Sequence, residues 1–324
     1  MSDEDYGAFA LEGARHEDGI LTKDAPSATP DGEGLARLRD QHFQRGLARF
    51  NAARLQPGRP HTGWLAQLQD EASWQRAEGQ FIEDLRKAVA SRLPTQWFDT
   101  DDFMGWFDGL RRTGPGQGHR LFAWLAEEAS LSQMCWFLRQ EAAGEAGFDD
   151  LLAMTQVKLP TRAKLEFARN YWDEMGHGKE RAMHGEMLAV MVRTMKLEPA
   201  IETTVSESLA LANAMLAMAS TRRYALLSVG ALGVIEMTAP QRVAQVSAGM
   251  KRLGLDGRMR AYFDLHAMLD VHHSKAWNSE VIRPLVESDP DCARFIGEGA
   301  LIRLLCGEQC FERYSLELMP GIGP

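Results

Sequence analysis

The sequence has few of the features that mark secreted, membrane-spanning or nucleic-acid-binding proteins. Its 324 residues include only four unevenly spaced cysteines, which argues against a disulfide framework and predicts a reducing, cytoplasmic location. No apolar segment follows the acidic N-terminus, so we expect no secretory signal. The longest apolar run, Tyr224 to Met237, is shorter than the ~20 residues of a membrane span. It predicts a buried helix and no membrane partner.

Charge and hydrophobic periodicity indicate which partners and which fold class to expect. The formal net charge is -9 and no dense run of Lys and Arg occurs, which argues against nucleic acid as a partner. Stretches that alternate apolar and polar residues are almost absent, whereas apolar residues at helical spacing are frequent. An all-α fold is therefore predicted, and the chain is long enough to bury a sizeable core.

Composition divides the chain into three parts. Residues 1–33 are rich in Gly, Pro, Asp and Ser, which predicts a disordered arm. Residues 34–118 predict two amphipathic auxiliary helices and then an irregular connection over residues 94–118. Long apolar helical segments fill residues 119–324, which are predicted to form the main helical domain.

One predicted helix carries a group of metal-ligating residue types. His266, Asp270 and His273 stand at i, i+4 and i+7, so they lie within roughly 60° of one another on a helix surface. Two imidazoles and a carboxylate form a mixed nitrogen and oxygen ligand set that suits iron, manganese or zinc. The alternative is a solvated helix face with no ligand role.

Further ligands are expected near a glycine-flanked histidine. Glu174 and His184 are ten residues apart, which on one straight helix would separate them by about 15 Å. A break at Gly176 and Gly178 would bring both side chains to one centre. His177 is the rival of His184, because Glu174-x-x-His177 matches the spacing of ferritin-like di-iron bundles. Those bundles need a second such pair, which this sequence lacks.

Glu236 is a further candidate because it is a solitary carboxylate at the end of an apolar helical segment. A structural ion pair is the alternative, with Arg222, Arg223 or Arg242 as the partner.

Glu141 is the candidate from the first core helix, which is predicted from about Leu121 to Glu141. Periodicity does not choose it over Glu127, Glu128 or Glu145. Four carboxylates and three histidines around one pocket would suit two adjacent irons, whereas zinc hydrolases usually use fewer ligands. The alternative is a set of buried polar pairs without a metal.

Together these motifs resemble the heme-oxygenase-like di-iron oxidases and oxygenases, which are often described as iron-containing redox enzymes. The resemblance covers about residues 121–284. It implies an all-α, heme-oxygenase-like helical bundle, here with an additional N-terminal helical segment. By the family's pattern the iron ligands would be Glu141, Glu174, His184, Glu236, His266, Asp270 and His273.

The resemblance also implies a chemistry. Two Fe(II)/Fe(III) ions, without heme, would activate O2 as co-substrate through a peroxo-diferric intermediate. The leading hypothesis is N-oxygenation of an amine, amino acid or small nitrogen heterocycle in natural-product biosynthesis. The enzymatic alternative is oxidative C–C cleavage, decarboxylation or desaturation of an amino acid or fatty acid.

A hypothesis from another class is a helical protein that binds a metal or small molecule without catalysis, such as a thiamin-scavenging relative or an iron-storage module. Storage proteins usually carry two Glu-x-x-His pairs, and this chain does not. For the enzyme we expect a small-molecule substrate, with room for an external electron donor and a homodimer.

Overall fold

The computed structural model describes residues 30–145 and 147–320, except for the side chains of residues 30–34 and 270–272. In this part of the chain all regular structure is helical, which confirms the all-α fold. The α-helices are α1 (Pro30–Arg39), α2 (Gln41–Leu55), α3 (Trp64–Val89), α4 (Thr100–Thr113), α5 (Arg120–Glu127), α6 (Leu131–Gly144), α7 (Phe148–Thr155), α8 (Thr161–Glu174), α9 (His184–Met195), α10 (Ser206–Ser220), α11 (Ala225–Arg252), α12 (Gly257–Trp277), α13 (Arg283–Ser288) and α14 (Cys292–Leu318). Short 3₁₀ turns connect several of them, and a five-residue π-helix, Asn278–Ile282, joins α12 to α13.

The N-terminal helices and the later helices share one apolar core. Leu47 of α2 and Phe81 of α3 are fully buried in the same cluster as Ala214 of α10 and Ile302 of α14. Both predicted auxiliary helices are present, but the first, predicted over residues 35–55, is divided into α1 and α2 because Asp40 caps the start of α2. Of the predicted disordered arm, residues 1–29 lie outside the described part of the chain, and Pro30 begins α1.

The prediction of an irregular connection over residues 94–118 was wrong for residues 100–113, which form α4. Asp99 caps this helix by accepting a 2.8 Å hydrogen bond from the Asp102 backbone N–H. Its apolar residues Phe103, Phe107 and Leu110 follow helical spacing and are buried. Cap and periodicity together outweigh the helix-weakening glycines of this segment.

The first core helix was also predicted too long, because residues 128–130 divide it into α5 and α6. Ser130 and Gln133 form a capping box, in which the Ser130 hydroxyl accepts from the Gln133 N–H and the Gln133 side chain accepts from the Ser130 N–H. Such a motif starts a new helix.

The two helices that frame the interior, α11 and α14, are in direct backbone contact. A Cβ atom at Gly230 would lie 1.8 Å from the Ile296 carbonyl oxygen, and one at Gly299 would lie 1.9 Å from that of Leu227. Only glycine fits at either position. Among the described residues, no helix is both long enough and apolar enough to span a membrane.

Candidate metal centre

The predicted break between Glu174 and His184 is confirmed. Helix α8 ends at Glu174, a tight turn follows, and α9 begins at His184. Gly176 has a φ of +57°, and a Cβ there would lie 2.3 Å from the Ala182 carbonyl carbon. Because no other residue fits this turn, the glycine allows the chain to fold back on itself. The Glu174 and His184 side chains consequently meet at the two helix ends, each only 5% exposed.

His266 completes a triad with these two residues. One ligand atom from each of Glu174, His184 and His266 lies within 4.8 Å of the others. The His184 Nδ1 and Glu174 Oε2 atoms are 2.8 Å apart, yet this buried Nδ1 has no hydrogen bond of acceptable geometry. His266 Nδ1 lies 2.7 Å from the Tyr262 carbonyl oxygen, to which it donates, so its Nε2 lone pair remains free. Both imidazoles thus keep a lone pair available at the triad.

The ionisation of the triad reflects its burial. Burial lowers the pKa of His184 to about 4, with a smaller effect from His273, and it lowers that of His266 to about 4, with a smaller effect from His184. Burial, together with a smaller effect from the Glu236 carboxylate, raises the pKa of Glu174 to about 9. Both imidazoles are neutral at pH 7, as metal ligands must be. A bound cation would favour the ionised form of Glu174.

Glu236 and His273 form a second group beside the triad. Glu236 is 2% exposed and accepts a 2.8 Å hydrogen bond from Asn170 Nδ2. His273 lies between two carboxylates, with Nδ1 3.5 Å from Glu236 Oε2 and Nε2 2.9 Å from Asp173 Oδ2. Burial alone would lower the pKa of His273, but hydrogen bonding and charge from Glu236 and Asp173 outweigh it and raise the pKa to about 9. The predicted site residue Glu236 therefore has a histidine and an amide as partners.

Asp173 is a site residue that the sequence reasoning missed. Its carboxylate joins His273 to His177, whose Nε2 lies 2.5 Å from Asp173 Oδ1. His177 is largely exposed and stacks on Trp172. The structure therefore brings His184, rather than its rival His177, to Glu174.

The carboxylates of α6 lie in two adjoining cavities. Glu145 lines the same cavity as Glu174, Glu236 and His266. Glu145 is an exposed residue, but the protein around its carboxyl group raises the pKa to about 7, with a further effect from Glu174. The Tyr262 hydroxyl donates a 3.3 Å hydrogen bond to its Oε2.

Glu141 lines only the adjoining cavity, where its carboxylate is hydrogen-bonded to Tyr314. Burial raises the pKa of Glu141. The structure brings Glu145, not Glu141, next to the triad. The side chain of Asp270 lies outside the described residues, although its backbone belongs to α12.

The sequence pattern of the iron-containing redox enzyme family matches residues 135–308, which are more than half of the chain. The chain belongs to this family. A search of curated proteins found no match to it. The matched residues include α8, α9, α11 and α12, the helices that carry the triad, Glu236 and His273.

The triad of this iron-containing redox enzyme fits its metal. Imidazole nitrogen and carboxylate oxygen suit non-heme iron, and both histidines are in the neutral form that binds it. The buried, unsatisfied Nδ1 of His184 is explained by a ligand role. The Tyr262 carbonyl orients His266 as the outer partners of metal-bound histidines usually do. The chain is an iron-containing oxidoreductase.

Proposed function

We propose that this protein is a non-heme di-iron oxygenase that uses O2 to oxygenate a nitrogen atom of an amine, amino acid or small nitrogen heterocycle in natural-product biosynthesis. The triad of Glu174, His184 and His266 would hold one iron. Glu236 and His273 would contribute to the second, together with Glu145. Asp270 remains a predicted ligand, and we assign to Glu145 the role that the family resemblance implies for Glu141.

The observation that carries this proposal is the number of ligand groups that meet in one buried place. Beside the triad, Glu236 and His273 contact one another, and Glu236 is close enough to raise the pKa of Glu174. A single catalytic zinc ion needs only about three protein ligands. Four buried ligand groups and the half-buried His266, with Glu145 beside them, favour two adjacent cations, whose charge would also compensate the clustered carboxylates.

The residues around these groups fit a small substrate in a dry site. Two ferrous ions, when bound, would supply electrons and an open coordination position for O2. Leu151, Met215 and Ile235 line the cavity beside the ligands and limit the access of water. The cavity is small, about 100 Å³, which favours a compact substrate.

The test is anaerobic reconstitution with Fe(II), a count of iron per chain, and then O2 consumption with a panel of amines. We expect about two irons per chain, O2 uptake that depends on iron, and hydroxylamine or nitro products. His266→Ala should lose at least one iron, whereas His177→Ala, which removes an exposed histidine from the same region, should keep both. One iron or none in the wild type would reject the di-iron proposal. Fragmented or desaturated products from a two-iron protein would favour the C–C cleavage alternative instead.

The remaining expectations also stand as proposals. We propose auxiliary helices over residues 30–118 and a di-iron domain over residues 119–324, whereas residues 1–29 lie outside the described part of the chain. A cytoplasmic homodimer that takes electrons from an external donor would be compatible with this arrangement. Sedimentation of the purified protein would test the dimer directly.

A further inference from the structure

A chamber beside the iron ligands contains two half-buried arginines, each with one nitrogen that is fully buried. Arg242 of α11 and Arg303 of α14 both line this space, whose volume is about 130 Å³. Arg303 also lines the cavity that contains Glu174, Glu236 and His266. One arginine side chain therefore lines both spaces, which adjoin at this residue.

Each of the two arginines has a buried N–H group without a hydrogen-bond acceptor in the described part of the protein. Arg242 Nη1 and Arg303 Nε are buried and form no hydrogen bond. The remaining contacts of Arg242 are a long 3.4 Å hydrogen bond to Thr238 and the rings of Phe122 and Phe311, 6.0 and 5.5 Å away. A buried guanidinium with an unused donor is unfavourable unless an anion compensates it.

The carboxylates nearby supply only part of that compensation. Glu141 interacts electrostatically with both arginines, but its carboxyl group is hydrogen-bonded to Tyr314. Glu145 likewise interacts with Arg303 through charge and accepts its hydrogen bond from Tyr262. Among the described side chains, neither arginine forms an ion pair with a carboxylate within 4.0 Å.

Arginines with a purely structural role are bonded differently in this chain. Arg252, on the same helix as Arg242, donates to the Ala126 and Ala129 carbonyl oxygens at 2.8 and 2.6 Å. Arg86 binds the buried Glu298 carboxylate at 2.6 Å. Arg45 and Arg54 also each have a buried Nε without a hydrogen bond, but another nitrogen of Arg45 binds the Glu202 carbonyl oxygen and one of Arg54 binds the Glu78 carboxylate at 2.7 Å. Among the described residues Arg242 has only its long bond to Thr238, and neither Arg242 nor Arg303 has a carboxylate partner, which points to a ligand.

We propose that Arg242 and Arg303 bind the carboxylate of the substrate, which is a small amino acid or related amino carboxylate. Each arginine has one unpaired N–H, and a carboxylate has two oxygen atoms, so each oxygen can accept a charge-assisted hydrogen bond from one of the two arginines. Leu138, Met191 and Val246 line the same chamber and leave room for an apolar carbon chain. With its carboxylate in the chamber, the substrate would extend past Arg303 toward the iron ligands. This inference rests on the proposed oxygenase function for its statement about the substrate.

The test uses butyrate and 4-aminobutyrate as probes, with butyramide as the neutral control and inorganic phosphate as the alternative anion. Calorimetry and thermal unfolding would be measured on metal-free and on anaerobic Fe(II)-loaded protein. We expect both carboxylates to bind and butyramide and phosphate to bind far more weakly. In Arg303→Met and Arg242→Met, carboxylate affinity should fall about 10- to 100-fold in both metal states.

A matched control lies on the same helix as Arg303. Arg313 is partly exposed and pairs with Glu317 at 3.0 Å, so Arg313→Met should leave carboxylate affinity unchanged. Arg303→Lys keeps the charge, which makes it the more conservative variant if Arg303→Met does not fold, and should bind carboxylate with intermediate affinity. The midpoint of unfolding of Arg303→Met without probe should be equal to that of the wild type or higher, because an uncompensated buried charge has been removed.

Three results would overturn the carboxylate site. These are equal binding of carboxylate and butyramide, tighter binding of phosphate than of carboxylate, and carboxylate binding only in the iron-loaded state without sensitivity to either arginine. The last result would mean that the probe binds iron directly. Because the metal-free arm does not depend on iron, the two proposals fail separately. A protein that takes up two irons and consumes O2 but binds no carboxylate would overturn only this inference. A protein that binds carboxylate through the two arginines but takes up fewer than two irons would overturn only the di-iron function.

Discussion

His184 Nδ1 lies 2.8 Å from Glu174 Oε2, and the two atoms nevertheless form no hydrogen bond. Two buried polar atoms at this distance are normally a donor and an acceptor. Here the pair is explained if both direct their lone pairs toward a shared ligand, since atoms bound to one metal ion are necessarily close to each other. The Gly176 turn brings the two residues together, although they belong to different helices.

The first prediction separates the two histidines that follow Glu174. His184→Ala should lose at least one iron per chain, because it removes a neutral, buried ligand. His177→Ala should retain the iron content of the wild type, because its imidazole is largely exposed and bonded to Asp173. Iron analysis of both variants after anaerobic loading checks this. Equal loss in both would restore the Glu174-x-x-His177 alternative.

A second prediction concerns the carboxylate contributed by α6. Glu145→Gln should reduce iron to about one per chain, because Glu145 lines the cavity of the triad. Glu141→Gln should leave the iron count unchanged, because Glu141 faces Tyr314 and the arginines. The two positions are four residues apart and the chemical change is the same, so each variant is the control for the other. The opposite pattern would support Glu141 as the ligand that the family resemblance implies.

Asp173 provides a third prediction. Asp173→Asn removes one of the two carboxylates that raise the pKa of His273 to about 9, so in the metal-free protein this pKa should fall by about one unit or more. Glu186→Gln is the control, because Glu186 pairs with Arg193 instead. A titration of the histidine ring protons by NMR would measure both. An unchanged His273 pKa in Asp173→Asn would mean that Glu236 alone keeps the His273 imidazole protonated.

Local patterns in the sequence were sufficient to predict most helices and the break at Gly176. Apolar spacing records which face of a helix is buried, and a glycine pair marks where the helix ends, so both can be read without knowing the rest of the fold. The same information placed Glu174 and His184 at one centre.

The site residues that the sequence could not identify depend on packing between distant segments of the chain. Glu141 and Glu145 are four residues apart, so helical periodicity would place them on one face and cannot separate them. In the structure α6 ends at Gly144, and the backbone of Glu145 is extended. Only the position of the end of α6 against α12, where Tyr262 contacts Glu145, separates the two. Asp173 was missed for a similar reason, because nothing near it in the sequence shows that His273, 100 residues away, packs against it. The unpaired donors of Arg242 and Arg303 were equally invisible.

The fourth prediction tests the turn itself. Gly176→Ala should lower the free energy of unfolding by about 3 kcal/mol or more, because the new Cβ would collide with the Ala182 carbonyl carbon 2.3 Å away and φ is positive. The variant should also bind less iron, because the collision separates Glu174 from His184.

Gly185→Ala is the matched control. Its Cβ would meet no atom within 4 Å in helix α9, so the change should be neutral or stabilising by about 0.5–1 kcal/mol. Urea unfolding and iron analysis measure both effects, and equal stability of the two variants would contradict the role given to this turn.

The fifth prediction concerns pH. In the metal-free protein, the folded-state pKa of Glu174 is raised to about 9 from an ordinary value of 4.5, so the folded state holds the extra proton and loses stability as pH rises through this window. His273, raised from 6.5 to about 9, contributes stability that is present below pH 6.5 and lost toward pH 9. His184 and His266, lowered to about 4, act in the opposite direction, but only between pH 4 and 6.5.

Above pH 6.5 the two groups that still change protonation, Glu174 and His273, both lower stability as pH rises. The midpoint of thermal unfolding of the metal-free protein should therefore fall by about 5 °C or more by pH 9. Iron should reverse this slope, since its binding displaces the proton from Glu174 and becomes tighter as pH rises. Calorimetric scans of metal-free and anaerobic Fe(II)-loaded protein at pH 6.5, 7.5 and 9 compare the two. Glu174→Gln cannot ionise, so it should show a weaker pH dependence without iron and little stabilisation by iron. Parallel curves for the loaded and metal-free wild type would show that no proton leaves the site when iron binds, and would exclude Glu174 as a ligand.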